Sequence, residues 1–206
     1  MLQIIDLPGD SQNYEVIEKA VEASLFVAGM TCEIGLRRGG GTKVIVDTLA
    51  KHKATKVHIA IDPYGNIEYR PDDTHQLRLD YTNDMRDEAI PQIYQYCRMK
   101  EINFQFFNME DTEFFERFAD GVPVYSYFKT KISTYSMVHF DGPHDYPSIS
   151  KETDFFSTRT PPGGTWVFDD IHDYDHKRLE QNNIFPAGFS KLVEEGRKAA
   201  YFKRAV

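Results

Sequence analysis

Three carboxylates each close a run of apolar residues in the second half of the chain. Asp141 follows His139-Phe140 within HFDGPHDY (139–146), and Asp169 with Asp170 ends the apolar run in PPGGTWVFDDIHDYDH (161–176). Crowded carboxylates raise one another's pKa unless a cation neutralises them. An oxygen-only ligand set suits a hard ion such as Mg²⁺, with water or substrate oxygens completing an octahedron. The same acids could instead cap a helix or pair with Arg and Lys. His139 and Asp141 also mimic the HxD pair of non-haem iron oxygenases, because i and i+2 share one face of a strand. Inside an apolar strand, however, His139 reads more simply as a hydrogen-bonded core residue. His172 and His176 follow the acid pair and read as loop histidines within reach of the site.

The first half of the chain holds a different device. Glu33-Ile34-Gly35-Leu36-Arg37-Arg38-Gly39-Gly40-Gly41-Thr42 joins an apolar run to a helical one. Glycines let a backbone turn sharply and approach a ligand closely, and the helix that follows offers free amides. No Gly-Lys-Ser/Thr follows, so this is not a Walker A loop. Asp62 closes the next apolar run, VHIAID, where an acid can accept from ribose hydroxyls. Its bland alternative is to cap the turn at Pro63-Tyr64-Gly65. Together the loop and the acid favour an adenosine-containing ligand over a plain scaffold.

The elements that must position these residues alternate in type. Helical periodicity runs over 14–25, where Ile17, Ala20, Val21 and Leu25 recur, and again over 42–51, 86–100, about 111–119 and 147–158. Asp111 is placed to cap the 111–119 helix. Extended segments are expected at 30–35, 57–62, 104–108, 134–141, 164–170 and 199–205, with a helix near 189–195. This rhythm implies an α/β fold with a mostly parallel sheet and helices on both faces. Ligands in such sheets sit beyond the carboxyl ends of the strands, where strand order reverses. Glu33, Gly35, Asp62, Asp141, Asp169 and Asp170 all fall at those ends.

The bulk numbers agree with one domain spanning 1–206, with a hydrophobic content of 41% that supports a real core. A net charge of −8 argues against coating nucleic acid or an anionic membrane. No apolar run approaches the ~20 residues that span a bilayer. The start MLQIIDLPGD lacks a signal-peptide layout, and Cys32 and Cys97 form no CxxC pair. A cytoplasmic setting follows as the expectation.

The glycine loop and Asp62 resemble class I S-adenosylmethionine-dependent methyltransferases, whose E-x-G-x-x-x-G opens the cofactor site. The resemblance places Glu33, Gly35 and Gly39 at the methionine end and Asp62 on the ribose. Asp111-Thr112 falls where the family keeps an acid and a hydroxyl near the adenine, with Glu110 as a competitor. D-G-x-H-x-Y, P-x-G-G and F-D-D look like a metal-dependent O-methyltransferase subgroup that includes enzymes of macrolide sugars. That likeness covers about 30–175. It implies a Rossmann-like fold, Asp141, Asp169 and Asp170 as ligands of Mg²⁺ or a similar ion, Asp141 also at the cofactor, and His144 as catalytic base. It further implies a small-molecule or sugar acceptor. Pro143 departs from the pattern, which commonly has a polar residue there.

Two rival classes carry their own observations. An iron oxygenase would use His139 and Asp141 but leaves the glycine loop and Asp62 unexplained. A non-catalytic S-adenosylmethionine- or nucleotide-binding module would explain the loop and leave the acids unused. The polar segment 64–85, with Tyr64, Tyr69, Arg70 and Tyr81, reads as a lid or substrate wall. Tyr125, Tyr127 and Phe128 read as core packing.

Overall fold

The computed structural model describes residues 5–9, 11–69, 78–125 and 128–205. Helix α1 (Glu15–Ala23) precedes strand β1 (Met30–Ile34), helix α2 (Gly40–Lys51) and strand β2 (Val57–Ile61). Two short strands, β3 (Glu68–Tyr69) and β4 (Arg78–Leu79), pair antiparallel. Helix α3 (Asn83–Met99) begins where the Thr82 hydroxyl accepts from the Met85 amide, so it starts inside the segment read as a lid. Strand β5 (Asn103–Phe107), helix α4 (Asp111–Arg117), strands β6 (Val122–Tyr125) and β7 (Lys129–Ile132), and strand β8 (Tyr135–Phe140) follow. Helix α5 (Tyr146–Ser157), strand β9 (Thr165–Phe168), helix α6 (His176–Leu179) and a π-helical turn (Glu180–Ile184) lead to strands β10 (Phe189–Glu195) and β11 (Lys198–Lys203).

Seven strands form the central sheet in the order β10-β11-β9-β8-β1-β2-β5. The five from β9 to β5 pair in parallel, and β11 and β10 complete the sheet antiparallel. Strands β1, β8 and β9 are buried along their whole length, as expected of parallel strands covered on both faces. Successive β-strand side chains point to opposite faces. Trp166, Phe168, Phe140 and Tyr201 therefore join an aromatic core on one side. Val167, Met137 and Ala200 face the α1 and α2 side. Chain order reverses between β1 and β8, which makes the carboxyl ends of those strands the natural crevice.

Several expectations change. The segment 189–195 is the edge strand β10, paired along β11, and not a helix. Its short apolar run is ambiguous by periodicity, and cross-strand pairing decides the outcome. Strands β10 and β11 thus form an antiparallel pair at the sheet edge. Strands β6 and β7 pair antiparallel, a pairing that apolar periodicity did not announce. Tyr125 and Phe128 on it are exposed, not core, and Tyr127 lies outside the described residues, as does Arg70. Glu110, not Asp111, precedes α4, and no side chain caps that helix. Among the described residues, no helix is long and apolar enough to cross a membrane.

Candidate active site

Two pockets open at the carboxyl end of the sheet. The larger, about 630 Å³, is lined by Gly35, Asp62, Asp111, Gly142, His144 and Ser148, among others. The smaller, about 340 Å³, is lined by Ser11, the glycine loop, Asp141, Asp169, Asp170 and Arg197. They share Gly35, Tyr81 and His144.

The crossing at Gly35 requires glycine. Its φ is +81°, and a Cβ there would lie 2.0 Å from the Asp141 carbonyl oxygen. The Asp141 amide in turn donates to the Ile34 carbonyl at 2.9 Å, so the ends of β1 and β8 are locked together. Asp62 organises the same loop through its carboxylate. One oxygen accepts from the amides of Leu36 (2.9 Å) and Arg37 (3.0 Å), and the other from the amide of Tyr64 (3.0 Å). Burial pushes this carboxyl upward against the pull of those amides. A carboxylate has about four acceptor sites, so about one remains for a ligand hydroxyl.

Glu33 lies behind the pocket, not on its wall. It is 1% exposed and accepts from Thr42 on one oxygen, with His139 Nδ1 2.9 Å from the other. Thr42 also meets His58 Nε2 at 2.8 Å, and His58 Nδ1 meets Thr31 at 3.0 Å. One proton arrangement satisfies this chain. Thr31 donates to a neutral His58, whose Nε2–H donates to Thr42, which donates to Glu33. Burial holds His58 down to about 4, consistent with the neutral form. Gly39 precedes α2 and lines neither pocket. Asp111, at the start of α4, does line the larger one.

The three acids gather at one edge, but cations of the chain hold two of them. Lys198, fully buried, pairs with Asp169 and donates to Ser11 at 2.6 Å, and Ser11 donates to Asp169 at 3.0 Å. Arg197 Nε lies 2.5 Å from Asp170, and its other arm 2.6 Å from Asp173. His144 Nδ1 is 3.6 Å from Asp170. Burial and the adjacent Asp169 charge push the Asp141 carboxyl well above its usual range. For Asp169, burial pushes upward, but Lys198, His139 and the Asp170 amide together hold the carboxyl low.

Residues 32–171 match a family model described as a methyltransferase domain. The chain belongs to that family. The fold of this methyltransferase is the Rossmann-like one expected from the sequence, with a mostly parallel seven-stranded sheet. Similar solved structures include the O-methyltransferase NovP, at 16% identity and TM-score 0.59 over 93% of this chain and 79% of that one. The calicheamicin methyltransferase CalS11 is 9% identical, with a TM-score of 0.67 over 92% of this chain and 77% of that one. TomG of Streptomyces achromogenes, solved with S-adenosylmethionine, is 12% identical, with a TM-score of 0.57 over 97% and 83%. No curated protein matches the sequence.

The divalent ion implied by the acids does not fit this methyltransferase as it is arranged. Lys198 takes one oxygen of Asp169 and Arg197 one oxygen of Asp170, and the ligand atoms of Asp141, Asp169 and Asp170 do not converge as a set. Among the described residues, the ligand atoms that do converge are Glu33–His139–Asp141 and His144–Asp170–Asp173. In the first group Glu33 engages His139 through Nδ1, and both side chains are buried beneath the cleft. Sequence reasoning missed Lys198, Arg197 and Ser11. The available signal was a Lys at the head of the apolar strand AAYF, directly after Gly196-Arg197.

Proposed function

We propose that this methyltransferase moves the methyl group of S-adenosylmethionine to a hydroxyl of a small molecule or sugar, with His144 as base. The observation that carries the reading is the position of His144 on the wall shared by both pockets. Gly35, Asp62 and Asp111 would receive the cofactor, with Asp141 at the boundary, while Glu33 and Gly39 shape the loop from behind. The methyl–sulfur bond breaks as the methyl–oxygen bond forms in line, so positioning carries much of the rate. His144 takes the hydroxyl proton, and the donor leaves as a neutral thioether. Asp170, beside Nδ1, would stabilise the imidazolium that results. No step is assigned to a metal. A structure described as a TDP-rhamnose 3'-O-methyltransferase shares the fold, which is in keeping with a sugar acceptor. Two free, buried cysteines are in keeping with a reducing, cytoplasmic setting.

Calorimetry with S-adenosylhomocysteine, then acceptor profiling with labelled methyl donor, tests the reading. His144→Ala should lower turnover by ~10²–10⁴, the usual share of a positioned base, and leave cofactor affinity unchanged. Absence of cofactor binding would remove the reading. An unchanged rate and pH profile in the variant would reassign the base alone.

A further inference from the structure

The α1-facing side of the sheet carries a buried polar seam that crosses five strands. It runs from His58 on β2 through Thr31 and Glu33 on β1 to His139 on β8. Beyond the strand ends it continues through Asp141 and Asp169 to Lys198 on β11. The register accounts for the last step. Phe140 is opposite Phe168, and Phe168 is opposite Ala199, so Asp141, Asp169 and Lys198 stand side by side in the next row.

Lys198 has no exposed surface, and its ammonium is committed to Asp169 and Ser11. A fully buried lysine is retained only when paired, because losing hydration costs several kcal/mol per ion. Its partner is one of the acids that the sequence pattern assigns to a metal. Arg197 does the same for Asp170 from the neighbouring position. The formal charges balance in the same way under either scheme. Three carboxylates with Lys198 and Arg197 carry the same total as three carboxylates with one divalent ion.

We propose that Lys198 is a built-in cation that holds the acid edge in place of a divalent metal, so the acids need no metal to stay together. Lys198 acts as a positioning residue, through Asp169 and Asp141. This rests on reading those acids as the acceptor end of the methyl-transfer site. Removing the ammonium while leaving the carboxylates should therefore open a site for a hard divalent ion.

Mn²⁺ uptake by the purified full chain, followed by electron paramagnetic resonance, tests this without any acceptor. Wild-type protein saturated with S-adenosylhomocysteine should take up no stoichiometric Mn²⁺, and chelator should not move its thermal midpoint. Lys198→Gln should bind Mn²⁺ roughly ten- to a hundredfold more tightly, the scale on which partners of ligating groups tune metal affinity. Lys198→Arg should behave like wild type. One tight Mn²⁺ per wild-type chain, lost in Asp169→Asn, would overturn the proposal. So would a folded Lys198→Gln protein that binds S-adenosylhomocysteine but gains no Mn²⁺. The wild-type titration alone decides the matter if the glutamine variant fails to fold. Cofactor binding is read separately, so failure of the methyltransferase reading would be visible by itself.

Discussion

At the glycine-loop end of the cleft, an acid is held by backbone amides; at the opposite edge, acids are held by cationic side chains. Asp62 receives three amide hydrogens from residues 36, 37 and 64, all within two turns at neighbouring strand ends. Asp169 receives Lys198 from the late strand β11, and Asp170 receives Arg197 from the turn just before it. The first arrangement fixes a backbone shape and the second balances charge. Damage to the first should therefore leave backbone amides without an acceptor, and damage to the second should leave a buried charge uncompensated.

Asp62→Ala is expected to have the largest effect. An acid serving only a ligand could be removed with the fold intact, but this carboxylate is 1% exposed and satisfies three amides. Each orphaned amide costs ~1–3 kcal/mol, so stability should fall by ~3 kcal/mol or more, together with cofactor binding. Asp62→Asn, which retains one acceptor oxygen, should lose less. Urea unfolding of both variants checks this, and an Asp62→Ala midpoint equal to wild type would erase the contrast between the two ends.

The same contrast governs how much could be read from the sequence. Gly35, Asp62, Asp141 and the acid pair were legible because each ends a local apolar run, and strand ends are where α/β sheets bind ligands. What those acids touch was not legible. Lys198 was placed just outside a strand expected at 199–205, and its partner depends on antiparallel pairing of β11 with β9. That pairing also turned 189–195 into a strand. Glu33 matched the family's acid–glycine motif. The network that draws it inward, through Thr42, His58 and His139, needs side chains from α2 and three strands. Short-range pattern located the chemistry, and long-range packing decided which groups remain free to perform it.

A second prediction probes that network by pH. His58 titrates near 4 in the folded chain against an ordinary 6.5. The unfolded chain therefore takes up a proton first, and stability must fall as pH drops from 6.5 towards 4. The contribution is about 3 kcal/mol at the acid end and vanishes above 6.5. His176, held near 4 mainly by burial, adds a slope of the same sign. Comparing wild type with His58→Gln isolates the first share. The variant should show a shallower loss of stability between pH 6.5 and 4, and identical slopes would remove His58 from the account.

The smallest effect is expected at Arg197, and it sharpens the comparison within the acid edge itself. Its side chain is 42% exposed and reaches Asp170 and Asp173, whereas the Lys198 side chain has no exposed surface. Exposed ion pairs are worth ~0–1 kcal/mol because water screens them and ordering long side chains costs entropy. Breaking a buried pair costs ~3–5 kcal/mol because the remaining charge stays uncompensated away from water. Arg197→Ala should thus shift the urea midpoint little, and it should not admit Mn²⁺ while Lys198 still holds Asp169. Water can take over at Asp170, which is only partly buried, but cannot easily reach Asp169 at 2% exposure. Unfolding of Arg197→Ala beside Lys198→Gln measures the difference directly. Equal losses from the two would mean that the edge is held by net charge and not by the buried ammonium.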